Sequence, residues 1–165
     1  MVDSIDRVVS RINRILQMLA AGWLVVLAFV ILADVLGRGL FALPVQGTPE
    51  LVANSVVTIA FLQVCYSIRM GGMLKTDLIN AIAPPAVVHA LRIGGYLLGV
   101  ALFLTLSYAA WEPMLFSWEI GEFHGEGAMR VPAYPVRTVL VAIGILAAIN
   151  YALLAWREVE AGKPA

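Results

Sequence analysis

Charged residues fall in clusters along this chain, and the stretches between the clusters are predominantly apolar. Residues 15–33, 51–68, 93–111 and 138–156 carry no Asp, Glu, Lys or Arg and hold 19, 18, 19 and 19 residues. A bilayer hydrocarbon core about 30 Å thick needs ~20 apolar residues of α-helix to cross it. The pattern therefore predicts an all-α integral membrane protein with four transmembrane helices. Helices follow from the need to satisfy every backbone polar group in lipid, and the runs lack the alternation of barrel strands. The expected spans are about 15–36, 49–69, 86–111 and 138–157, with an outer loop over about 112–137. The first apolar run is longer than the ~7–15 residues of a signal-peptide core, so it is read as a retained span.

Ahead of the first span, "DSIDRVVSRINRIL" sets Ile5, Val8, Val9, Ile12, Ile15 and Leu16 at helical spacing, with Arg7, Arg11 and Arg14 on another side. That pattern predicts an amphipathic surface helix over about 3–14; the solvated start of the first span is the alternative. A second, short surface helix is expected over about 76–83. Pro84 and Pro85 then open the third span, where a missing N–H costs no intrahelical bond.

Charge orients the chain. Eight of the 11 Lys and Arg residues (Arg7, Arg11, Arg14, Arg69, Lys75, Arg92, Arg157 and Lys163) share one side on a four-span topology. Arg38, Arg130 and Arg137 fall on the other. The positive-inside rule then places both termini in the cytoplasm. Arg69, Gly71, Lys75, Asp77 and Arg92 form a cytoplasmic corner that stops the second span and anchors it to inner headgroups.

Several polar positions are candidates for contact with a partner. Asp34 and Arg38 stand four apart on one helix face at the outer interface, as a pair or as snorkelling ends. In "QGTPELV", Thr48 can cap the second span, Pro49 suits its first turn and Glu50 favours the positive helix end, whether or not Glu50 also meets a partner. Within that span Asn54, Thr58 and Cys65 share a stripe, and Gln63 lies about opposite Asn54. Two polar faces in lipid need partners, either inside a four-helix bundle or on another subunit. Gly95 and Gly99 in the third span permit close helix approach. The outer loop mixes Trp111, Phe116, Trp118, Phe123 and Tyr134 with four glutamates, which fits an interfacial aromatic belt and an acidic, hydrated surface.

Composition changes this picture only by exclusion. Mean hydropathy is +0.89, and the formal net charge is zero, which gives nucleic acid nothing to bind. A single cysteine removes disulfides and multi-thiolate metal sites. The two histidines, His89 and His124, fall on opposite sides of the predicted membrane, so they cannot share a haem or a metal. There is no G-x-S-x-G, no P-loop and no carboxylate deep in a span to relay protons. These absences argue against an enzyme and for an accessory or scaffold subunit. The competing reading is an independent oligomeric transporter or channel with a path built from Asn54, Thr58, Gln63 and Asn150.

The run from Arg38 through Pro44, Gly47 and Glu50 to "RMGGMLKTD" resembles the small membrane subunit of tripartite ATP-independent periplasmic (TRAP) transporters, the DctQ-like family. Arg69, Gly71, Leu74, Lys75 and Asp77 match that family's pattern position by position, with Met73 where a histidine is usual. "GEGAMRVPAYPVRTVLVAIG", with Pro132, Tyr134 and Pro135, resembles its approach to the fourth helix. The resemblance implies a subunit without catalytic residues or cofactors of its own. It implies a large M-type permease subunit that carries the sodium and substrate sites, and a periplasmic substrate-binding protein that delivers a carboxylate-bearing solute. Membrane lipids are the remaining partner. The subunit would brace the large subunit's scaffold in a bacterial inner membrane and contribute to the docking surface.

Overall fold

The computed structural model describes residues 2–43, 47–70, 84–124 and 131–161. Four α-helices dominate it: α1 (Val2–Phe41), α2 (Thr48–Arg69), α3 (Pro85–Ile120) and α4 (Tyr134–Ala161). All four are long and apolar enough to cross a membrane. At about 1.5 Å per residue, α2 is about 33 Å long, matched to the hydrocarbon core, whereas α1 is about 60 Å long.

The helices extend past their charge-free windows. The segments expected as a surface helix and a first span form one uninterrupted helix, α1. The third helix runs on to Ile120, through Glu112 and Pro113, and the fourth begins at Tyr134, so the expected loop over 112–137 shortens to residues between Gly121 and Ala133. The cause is physical. A charge-free window marks the hydrocarbon, but backbone groups in the headgroup layer still gain from helical hydrogen bonds, and membrane helices tolerate an internal proline. Gly121, in the left-handed conformation (φ 57°), ends α3 by donating its N–H to Ser117 O, and Glu122 N–H adds a second bond to that carbonyl at 3.0 Å. Strands β1 (Phe123–His124) and β2 (Val131–Pro132) then pair antiparallel.

Local chemistry also differs at the start of α2. Its N-cap is Gly47 (φ 84°), with no side-chain cap, so Thr48 is the first helical residue and not the cap. Glu50 lies in the first turn, as the dipole favours. The end of α1 folds back: Leu43 N–H donates to Gly37 O at 3.1 Å, and a side chain on Gly37 would meet Leu43 O at 2.8 Å.

Packing is asymmetric. Helix α1 packs on α2, α2 on α4 and α4 on α3. Apart from Val9, the buried positions on α1 recur every seventh residue, at Asp6, Asn13, Ala20, Leu27 and Asp34. That period is the seam of a left-handed helix crossing. Its apolar centre, Ala20 and Leu27, packs with Ile59, Val52 and Leu62 of α2. Helix α4 is the most enclosed: Ile143, Ala147, Ala148 and Tyr151 join Cys65 and Ile68 of α2 and Phe103 of α3. The Tyr151 ring lies 5.9 Å from that of Phe103. Close approach of α3 and α4 depends on two glycines. A Cβ on Gly99 would stand 2.8 Å from the Tyr151 ring, and one on Gly144 would stand 2.4 Å from Ser107 Oγ. Gly95 faces open space, so it does not act with Gly99 as a contact pair.

Candidate functional site

Three polar groupings interrupt the apolar surfaces. The most buried ties α1, α2 and α4 together at one end. Asp6 accepts hydrogen bonds from Arg69 through one carboxylate oxygen and from Arg157 through the other. Arg69 also donates to Asn150 Oδ1 at 3.2 Å, and Asn13 donates to the same oxygen at 2.7 Å. Asn150 donates in turn to Leu146 O at 2.8 Å. The side chains of Asp6 and Arg69 are 8% and 12% exposed, while that of Arg157 is 51% exposed. Asn13 and Asn150 are fully buried. One carboxylate thus faces two guanidiniums, and the two amides bond to each other and to Arg69. In lipid this satisfies groups that would otherwise cost several kcal/mol each. Because Asp6 meets Arg157, the first turns of α1 and the last turns of α4 lie at the same end of the helix assembly.

Of the residues expected at the corner, Arg69 bonds inward, to Asp6 of α1 and Asn150 of α4. Arg92 reaches Glu158 of α4 at 3.5 Å, beside His89 Nδ1 at 3.3 Å from the same oxygen. Gly71, Lys75 and Asp77 lie outside the described residues, as does the short surface helix expected over 76–83.

The second grouping lies at the other end of α1. Arg38 and Asp34 form the anticipated ion pair at 2.8 Å, with the Asp34 side chain 10% exposed and that of Arg38 mostly exposed. The third joins the ends of α3 and α4. Arg137 pairs with Glu122 at 2.8 Å, Ala133 N–H donates to Glu122 O at 2.8 Å, and Trp118 Nε1 donates to Thr138 Oγ1 at 2.9 Å beside the Tyr134 ring. Among the described residues no cluster of His, Cys, Asp and Glu is able to hold a metal ion.

The polar positions of α2 separate. Thr58 Oγ1 donates to Asn54 O at 2.9 Å, a bond within its own helix. Cys65 Sγ faces Ile143 O of α4 at 3.6 Å. Gln63 is exposed, and neither Gln63 nor Glu50 has a hydrogen-bond or ion-pair partner among the described residues. Sequence reasoning missed Asp6, Asn13, Glu158 and the Glu122–Arg137 pair. The seven-residue spacing of Asp6, Asn13 and Asp34 on one helix was the available signal for the first two.

Four long apolar helices, joined by internal polar ties, define a multi-pass membrane protein. The chain matches, over residues 27–161, the family described as tripartite ATP-independent periplasmic transporters, DctQ component. That span is most of the chain, and the chain belongs to this family, the small permease component of TRAP transporters. The family is a transporter component and not an enzyme family. No curated protein matches the chain.

Proposed function

We propose that this chain is the Q-type subunit of a TRAP transporter in a bacterial inner membrane, with both termini cytoplasmic. It braces the immobile scaffold of a large M-type permease subunit and contributes to the surface on which a periplasmic substrate-binding protein docks. Sodium and a carboxylate-bearing solute bind in the large subunit alone, and this chain holds no cofactor. The membership in the DctQ component family carries the reading. The internal ties support it: Asp6, Asn13, Arg69, Asn150 and Arg157 bond to each other across α1, α2 and α4, which suits a rigid brace more than a moving transport element.

The competing reading, an independent oligomeric transporter or channel, requires Asn54, Thr58, Gln63 and Asn150 to line water. Asn150 is fully buried against Asn13 and Arg69, and Thr58 bonds to its own helix, which leaves that path short of polar lining within one chain. The test is a pull-down of the tagged chain from its native membrane, with mass spectrometry of co-purifying proteins and reconstituted uptake. A stoichiometric, much larger polytopic protein, with sodium-dependent uptake only when that protein, this chain and the substrate-binding protein are all present, is the expected result. Uptake by this chain alone would overturn the proposal.

A further inference from the structure

Helix α2 presents three faces. Val52, Ile59 and Leu62 pack toward α1. Phe61, Cys65 and Ile68 pack toward α4. The remaining third, formed by Ala53, Val56, Val57, Ala60 and Gln63, is exposed. Gln63 is six residues before Arg69 and thirteen after Glu50, which places it about 9 Å and about 20 Å from the two ends of the span, at hydrocarbon depth. A primary amide there carries two N–H donors and a carbonyl acceptor, and lipid chains satisfy none of them. The neighbouring polar spans show the usual solution: Asn13 with Asn150, Thr58 with Asn54 O, Thr105 with Ala101 O and Ser107 with Phe103 O. Among the described residues the Gln63 amide has no such bond; the part-buried Gln17 and Asn54 amides also lack one, but Gln63 is the exposed amide of the three. The exposed faces of α1 and α3 differ in kind. They carry Leu24, Phe29, Leu32, Leu98, Leu102 and Phe116, side chains suited to fluid acyl chains.

We propose that the outward face of α2 is where the large permease subunit seats, and that the Gln63 amide hydrogen-bonds to a polar side chain on a partner helix at the same depth. The proposal rests on the functional reading above and goes further by choosing one face of one helix. The short side chains around Gln63 allow a partner helix to come near enough for that bond.

Cysteine cross-linking tests it. Cys65 is the chain's one cysteine, so Cys65→Ser supplies a thiol-free background in which the hydroxyl keeps a donor for Ile143 O. Single cysteines at Gln63 (α2), Leu24 (α1) and Leu98 (α3) are labelled with a thiol-attached photoreactive benzophenone in native membranes, and the tagged chain is purified. The expected result is cross-linking from Gln63→Cys to the large polytopic protein that co-purifies stoichiometrically, at least fivefold above Leu24→Cys and Leu98→Cys. In unlabelled complex, Gln63→Leu is expected to weaken retention of that protein by about threefold, the scale of one intramembrane hydrogen bond, with partial recovery in Gln63→Asn. A large partner that co-purifies but cross-links better from Leu24→Cys or Leu98→Cys overturns the proposal and leaves the subunit reading intact. A cross-linked dimer of this chain, or lipid adducts only, overturns it as well. Absence of any large partner overturns both.

Discussion

Removing the Asp6 carboxylate isolates what the buried network contributes. In Asp6→Ala, Arg69 keeps only Asn150 Oδ1 at 3.2 Å, and its side chain is 12% exposed. Breaking a buried ion pair by deleting one partner costs ~3–5 kcal/mol, because the other charge is stranded. The surviving amide bond and the nearness of the headgroup layer argue for the lower end, about 3 kcal/mol. Arg157 is half exposed, so its share is under ~1 kcal/mol. Three kcal/mol is roughly a hundredfold in the folded-to-unfolded ratio. The assay is reversible unfolding in mixed micelles, titrated with a denaturing detergent and followed by tryptophan fluorescence. Arg157→Gln should shift stability by less than ~1 kcal/mol. The sharper expectation concerns the double variant. Asp6→Ala with Arg69→Gln removes the stranded charge, so it should recover stability relative to Asp6→Ala alone. A single Asp6→Ala within about 0.5 kcal/mol of the unsubstituted chain, or strict additivity in the double variant, would refute the reasoning.

Other expectations follow from contacts at single positions. Gly144→Ala places a methyl 2.4 Å from Ser107 Oγ and should destabilise by ~1–3 kcal/mol in the same unfolding assay, with partial rescue by Ser107→Ala. Gly99→Ala should disturb the Tyr151 ring, whereas Gly95→Ala, which meets nothing within 4 Å, should leave stability unchanged or slightly raised through helix propensity. Arg38→Ala and Glu50→Ala should reduce uptake by the reconstituted complex through docking or assembly, with the sodium dependence of the remaining uptake unaltered. Normal complex yield with normal uptake in both variants would remove them from the docking surface.

Much of the architecture was legible because lipid imposes few choices. A run of about 20 apolar residues must be helical, and four such runs at 15–33, 51–68, 93–111 and 138–156 needed no knowledge of contacts. Helix ends were less legible, since charge marks the edge of hydrocarbon and not the edge of hydrogen bonding; α1 beginning at Val2 and α3 passing Glu112 and Pro113 both follow from that difference. The local ion pair Asp34–Arg38 was readable from four-residue spacing alone. The Asp6–Arg69–Arg157 tie was not, because its members are separated by 63 and 151 positions and meet only once α1, α2 and α4 are assembled.

The same distinction applies to Arg69. At the end of a span, an arginine that snorkels and an arginine that bonds inward have the same sequence context. What separates them is a carboxylate elsewhere on a buried stripe, and Asp6 occupies the stripe that continues through Asn13, Ala20, Leu27 and Asp34. A polar residue in register with an apolar seam is therefore the more informative sign. It costs stability unless a partner meets it, so its position points to where another helix must bring a complementary group. Within this chain the rule locates Arg69, Arg157 and Asn150 opposite the seam of α1. Applied to α2, where Gln63 is in register with Ala53, Val56 and Ala60 and no group among the described residues meets it, the same rule points across the subunit boundary.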